Sequence, residues 1–134
     1  MSNECIPYFA GADQITGVTG AVVNGKQFVN ASGTLAEGLG ISGGVPTVET
    51  NTVAGAAVLG VGAYDSATGL PVGVWVEGTV PVVTSAAVVP GPVMSDANGF
   101  AVQWVSGATP ANIVAGYCIG AAAAGADAPV KIRE

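Results

Sequence analysis

Val61-Gly-Ala-Tyr-Asp-Ser-Ala-Thr-Gly-Leu-Pro-Val-Gly-Val-Trp-Val-Glu77 holds the reading that decides the fold. In its second half Val72, Val74 and Val76 alternate with Gly73, Trp75 and Glu77, which is the period of a strand with two different faces. Asp65 to Gly69 supplies a turn, because short polar side chains bond their own backbone and glycine accepts a positive φ. A strand through Ala56 to Tyr64 leads into this turn and Pro71 to Glu77 returns from it. The same arrangement occurs downstream. Gly116 and Gly125 repeat the separation of Gly60 and Gly69, and Val130 and Ile132 then fall where Val74 and Val76 do. Two hairpins of one length, each with an Ala-containing loop ending in glycine, predict a repeated structural unit.

Working outward, other strand and turn signals follow at short intervals. Val22-Val-Asn-Gly-Lys-Gln-Phe-Val29 reads as a hairpin, since Asn-Gly tolerates the positive φ of a type I′ turn. Gly33 to Gly44 reads as a glycine-rich loop and Val45 to Thr52 as an extended segment. Thr79 to Thr84 is a short strand and Pro90-Gly91-Pro92 a rigid corner. Ser95 to Gly99 suits a type I turn between Val93-Met94 and a strand from Phe100 to Val105. Ile113 to Gly120 and Pro129 to Arg133 close the chain, with room for one helical turn at Ala121 to Ala124. The expected fold is all-β with minor α: a small β-barrel or β-tulip-like domain of short strands over 21–134, preceded by an N-terminal arm or edge strand over 1–20.

Composition supports this. Of 134 residues half are hydrophobic, mostly Val and Ala, and 21 Gly and 8 Pro are spread along the chain. Branched Val packs well on a pleated surface, while dispersed Gly and Pro leave few windows for a helix. Gly, Pro or a charge also interrupts every window of the ~20 apolar residues that a membrane helix needs. No basic, apolar leader opens the chain. With charged residues at 9%, the apolar excess is expected inside the fold or at interfaces between chains.

Charge excludes more. Nine acids oppose three bases, the net charge is −6, and no Lys, Arg or His occurs between Lys26 and Lys131. Such a chain cannot neutralise phosphates, which argues against nucleic acid. It has no histidine, so no Ser or Cys nucleophile can have a His base. The carboxylates at 4, 13, 37, 49, 65, 77, 96 and 127 sit mostly at turns, where Asp caps its own backbone. No Asp-rich loop offers calcium several oxygens. The expectation is no enzyme, no cofactor and no metal.

Gly38-Leu-Gly-Ile-Ser-Gly43 matches the dinucleotide fingerprint in form, but Gly44-Val-Pro46 follows and no helix opens there. A lipoyl- or biotin-carrier reading fails because the hairpin tips lack the acceptor lysine. Cys5 and Cys118 belong to no metal-type cluster and are expected as free thiols, Cys118 in the core. Ile6, Pro7, Tyr8 and Phe9 form a bulky cluster, read either as part of an edge strand or as anchors of a docking arm. Trp75 and Trp104 are expected to pack in the core or between subunits.

Three stretches together resemble the head-decoration (cement) proteins of tailed bacteriophages. They are Asn3 to Phe9 leading to Val23 to Val29, Ala57 to Gly69 with Val72 to Trp75, and Met94 to Ala101 followed by Val114 to Gly120. The resemblance implies a small β-rich virion protein made in the host cytoplasm. It would sit as a homotrimer on the outer capsid surface, above threefold or quasi-threefold positions, with its N-terminal segment on the major capsid protein. It implies no nucleic-acid or membrane partner and no cofactor. A carbohydrate- or surface-binding module of a fibre or adhesin, with Trp75 or Trp104 against sugar, is the alternative.

Overall fold

The computed structural model describes residues 4–8, 11–36, 45–108 and 111–132, and for the end of the second strand and the start of the third only the backbone. Among them run β1 (Asp13–Thr19), β2 (Phe28–Ala36), β3 (Val45–Thr50), β4 (Gly60–Gly62), β5 (Pro71–Glu77), β6 (Thr79–Val83), β7 (Gly91–Ser95), β8 (Ala101–Gln103), β9 (Gly116–Cys118) and β10 (Asp127–Lys131). No helix occurs among the described residues, and the chain is all-β. The first five strands close a barrel in the order β1-β3-β2-β4-β5, and the second five form a sheet in the order β6-β10-β9-β7-β8.

The two halves are the same structure built twice. In the first, β1 runs antiparallel to β5 and parallel to β3, with Thr19 opposite Val48. In the second, β6 runs antiparallel to β10, and the parallel bridge Thr84↔Ala101 ties its end to β8. Strand β2 lies between β3 and β4 as β7 lies between β8 and β9. Local bonding repeats atom for atom. The Thr19 hydroxyl donates to Ala67 O at 2.5 Å, and that of Thr84 to Ala123 O at 2.7 Å. Gly69 N donates to Thr19 O at 2.8 Å, and Gly125 N to Thr84 O at 2.9 Å. Both glycines are left-handed, with φ of 85° and 80°, as the turn requires. The bridge Val23↔Ser66 has its counterpart in Val88↔Ala122. The echo of Gly60 and Gly69 in Gly116 and Gly125 is thus the visible part of a full duplication of topology.

Each hydroxyl closes the mouth of its unit by holding a loop on a strand end. Replacing Thr19 or Thr84 with Val keeps the shape and removes these part-buried hydroxyl bonds, while each carbonyl keeps its backbone donor. Each change should cost about 0.5–1.5 kcal/mol, and the two should be alike, read from urea unfolding midpoints.

Valine alternation fills the interior. Val23, Val29, Val48, Val72 and Val74 form the core of the first unit, with Ile15, Leu59 and Val76 against it. A larger cluster holds Val80, Val82, Val88, Val93, Cys118 and Val130 of the second unit. It also takes in Cys5, Phe28 and Val61, with Trp75 and Val58 packed on it, so one apolar mass joins the second interior to the outer face of the first.

Several expectations change. Val22 to Val29 is not a hairpin: Val23 pairs with Ser66, while Phe28 and Val29 pair with β4. The turn falls at Gly25-Lys26, where Lys26 has φ of 62°, and Gly25 N donates to Asp65 Oδ1 at 2.9 Å. A loop from across the barrel does the work expected of Asn-Gly. Gly33 to Ala36 belong to β2, not to the glycine-rich loop, whose remainder, with Gly38 to Gly43, lies outside the described residues. Gly91 and Pro92 open β7 instead of making a corner. Ala122 bridges Val88, so the helical turn at Ala121 to Ala124 does not form.

Candidate functional site: the N-terminal segment and the outer apolar faces

Residues 13–19, grouped by sequence with the N-terminal segment, form β1 and close the first barrel. The segment proper is held by its backbone. Cys5 N donates to Ala63 O at 2.7 Å and Tyr8 N to Thr79 O at 2.9 Å. The Trp75 indole donates to Cys5 O at 2.8 Å, and the Cys5 thiol donates to Pro81 O at 3.4 Å. The segment therefore lies across the junction, with Ala63 and Trp75 in one unit and Thr79 and Pro81 in the other. Its side chains alternate: Cys5 is 2% exposed, while Ile6 is 64% and Tyr8 49% exposed. Pro7 is half-buried, and Phe9 lies outside the described residues. Ile6 and Tyr8 project from a seat that Cys5 fixes.

Both cysteines are free. Burial pushes the Cys5 thiol up to about 12 from an ordinary 9.0, Lys26 lowering it slightly and Asp127 raising it. The folded chain keeps a proton that the unfolded chain releases, so stability is untouched below pH 9 and falls as pH rises from 9 toward 12. The slope in that window is up to about 1.4 kcal/mol per pH unit. Burial raises the Tyr8 phenol as well, so the contribution of Cys5 is the difference from Cys5→Ala. Urea midpoints at pH 8 to 11 should fall more gently for that variant; parallel curves would disprove the assignment.

Neither tryptophan offers a free indole. Trp75 is engaged as above, and Trp104 donates through Nε1 to Asn112 O at 3.0 Å, with its backbone N on Pro92 O at 3.0 Å. Both are half-buried, Trp75 at the junction of the units. Carboxylates serve the backbone: Asp96 Oδ1 accepts from Asn98 N at 2.8 Å and Phe100 N at 2.9 Å. Asp127 pairs with Lys26 at 2.9 Å and clasps the two units. No group of three or more metal-ligating side chains occurs among the described residues.

Two concave surfaces stand out among the described residues. One, of about 470 Å³, is bordered by Asn24, Gln27 and Thr50 of the first unit and Asn98 and Phe100 of the second. The other, of about 480 Å³, lies on the outside of the second unit and is lined by Val114, Tyr117, Ile119, Lys131 and Ile132. In β9 Cys118 points inward and Tyr117 outward, which leaves Val114, Tyr117 and Ile119 as a contiguous exposed apolar strip. Sequence reasoning placed Cys118 in the core, where it lies, and missed the strip beside it. The hairpin echo aligns Tyr117 with Val61 and Ile119 with Ala63, which are buried in the first unit, so it gave no signal of exposure.

No family model matches the chain, and no curated protein matches it. Among solved structures it is similar to the N base of the head fibre protein gp8.5 of bacteriophage phi29, with a TM-score of 0.64. Identity is 14%, over 92% of this chain and 95% of that one, so the two share a fold.

Proposed function

We propose that the chain is a structural virion protein that binds the outer surface of a phage capsid as a homotrimer and stabilises the shell against internal DNA pressure. The observation that carries this reading is the fold, shared nearly end to end with the base of a phage head fibre. The sequence resemblance to decoration proteins points the same way. The seated segment adds a physical reason: backbone bonds order it before docking, so Ile6 and Tyr8 meet a partner at little further entropic cost. A trimer engages three capsid subunits at once, and avidity then exceeds single-site affinity by ~10² to 10⁴. The major capsid protein is the proposed partner. The reading as a non-enzyme, without cofactor, nucleic acid or membrane, rests on the missing histidine and the scarcity of cations.

Co-sedimentation with empty, expanded heads lacking decoration tests this. The expected result is saturable binding in multiples of three per lattice site, weakened at least tenfold by Ile6→Asp with Tyr8→Asp. No binding by a folded trimer overturns it. The second reading, a surface-binding module of a fibre, is favoured by the neighbour being a fibre base. A change in tryptophan fluorescence on adding glycans, with no affinity for heads, would select it.

A further inference from the structure

The duplication says what the strip on the second unit is for. Val114, Tyr117, Ile119 and Lys131 of the second unit occupy the positions of Val58, Val61, Ala63 and Trp75 in the first. The backbone confirms the alignment. Leu59 N donates to Val29 O at 2.8 Å as Ala115 N does to Val93 O at 2.8 Å, and Val61 opposes Trp75 as Tyr117 opposes Lys131. One face is covered and the other is bare. Val61 is 0% and Ala63 4% exposed, against 53% for Tyr117 and 47% for Ile119.

The cover on the first unit comes from the second. Strand β6 lies alongside, with Val83 N donating to Lys26 O at 2.9 Å, and Cys5 bridges Ala63 O and Pro81 O. The units are therefore stacked head to tail, the β4 face of the first meeting strand β6 of the second. A terminal unit in such a stack needs a polar outer face to end it. This one ends in Val, Tyr and Ile.

We infer that the Val114–Tyr117–Ile119 face docks the β1 side of a second copy of this chain, continuing between molecules the contact that joins the two units within one. Counting back from the matched pair Thr19 and Thr84, the counterparts of Thr79, Pro81 and Val83 on β6 are Gln14, Thr16 and Val18 on β1. Gln14 and Thr16 are exposed and uncharged. Lys131 is the one charge lining the groove, and Asp13 at the head of β1 has the opposite sign. The contact is heterologous, so it closes into a ring when the rotation per copy divides the circle. It names the surface that makes the homotrimer of the reading above and rests on that reading for the number three.

Light scattering after size exclusion tests it, with Tyr117→Glu, Thr16→Glu and, as a control elsewhere on the surface, the exposed Val53→Glu. The expected result is an associated wild type and Val53→Glu, and monomers for the other two. Mixing Tyr117→Glu with Thr16→Glu should restore one junction and give a one-to-one dimer. Far-UV dichroism and urea midpoints like those of wild type show that the variants are folded. A monomeric wild type overturns the inference, as does association that survives Tyr117→Glu or a mixture that stays monomeric. A monomer that still saturates phage heads sinks this contact and spares the capsid reading; a ring that binds no heads does the reverse.

Discussion

Gly60→Ala and Gly116→Ala are each expected to lower stability by about 3 kcal/mol or more, toward and beyond the upper end of ordinary overpacking. A Cβ on Gly60 collides with the backbone carbonyl of Trp75. One on Gly116 would lie 2.6 Å from Val130 Cγ1 and 2.9 Å from Lys131 O. Trp75 and Lys131 are themselves counterparts in the duplicated unit, so both glycines serve one purpose. Each starts a three-residue strand that must press against its neighbour's backbone: β4 on β5 through Val61↔Trp75, and β9 on β10 through Cys118↔Val130. A flexible side chain could swing away, but a strand carbonyl is fixed by its own ladder. The substitution must therefore separate the strands, and in the first unit that opens a closed barrel. Gly69→Ala is the control. Nothing lies within 4 Å of its Cβ, and only the left-handed φ of 85° is strained, which costs about 1–2 kcal/mol. Urea unfolding reads all three. If Gly60→Ala costs no more than Gly69→Ala, the close approach of β4 and β5 is wrong.

The glycines also show which parts of the fold the sequence could reveal. β5 runs from Pro71 to Glu77 as the valine alternation says, because a strand with one buried face writes its period into the chain. The turn at Asp96 to Gly99 was legible because its chemistry is local, Asp96 accepting from Asn98 N and Phe100 N. In the loop at Asp65 to Gly69 only the left-handed Gly69 was legible, and Asp65 reaches Gly25 N across the barrel. Asn24-Gly25 misled because its signal is local too. The dipeptide favours a hairpin in isolation, but it cannot register that Val23 has a better partner in Ser66, far along the chain. Half of the duplication was visible, since Gly60 and Gly116 stand at matched offsets from matched valines. The other half was not, because β1 and β6 share little beyond Thr19 and Thr84, and loops of unequal length shift the spacing between halves.

For the candidate site the limit was burial. Ile6 and Tyr8 were named as anchors on bulk alone, and the structure presents both outward. What fixes them is Cys5, which looked like a neutral arm residue because its partners, Ala63, Trp75 and Pro81, are remote in sequence. Val114 to Ile119 shows the same limit from the other side. Cys118 was read as core and is buried, but only the fold distinguishes inward Cys118 from outward Tyr117.

Phe28→Ala is expected to cost about 3–5 kcal/mol, the range for deleting a buried aromatic ring. Against a total of roughly 5–15 kcal/mol for a domain, that is a large share. Phe28 is fully buried and is the largest of the wholly enclosed side chains among the described residues. Its N already joins the units by donating to Gly99 O at 2.7 Å, and its O accepts from Asn51 N of its own unit at 2.9 Å. Alanine keeps those bonds, so the loss measures the ring. The ring belongs to the cluster shared by the second interior and the outer face of the first unit, whereas Val29 beside it belongs to the first interior alone. Val29→Ala should therefore destabilise the chain while leaving one cooperative transition. Phe28→Ala should also loosen the coupling between units, so that fluorescence and dichroism no longer unfold at the same urea concentration. Phe28→Leu restores most of the volume and should return most of the stability, with coincident transitions. A loss of about 1 kcal/mol or less in Phe28→Ala would mean that no ring-sized gap opens. The two units would then be held together by their backbone bonds and the Lys26–Asp127 clasp instead of by a shared core.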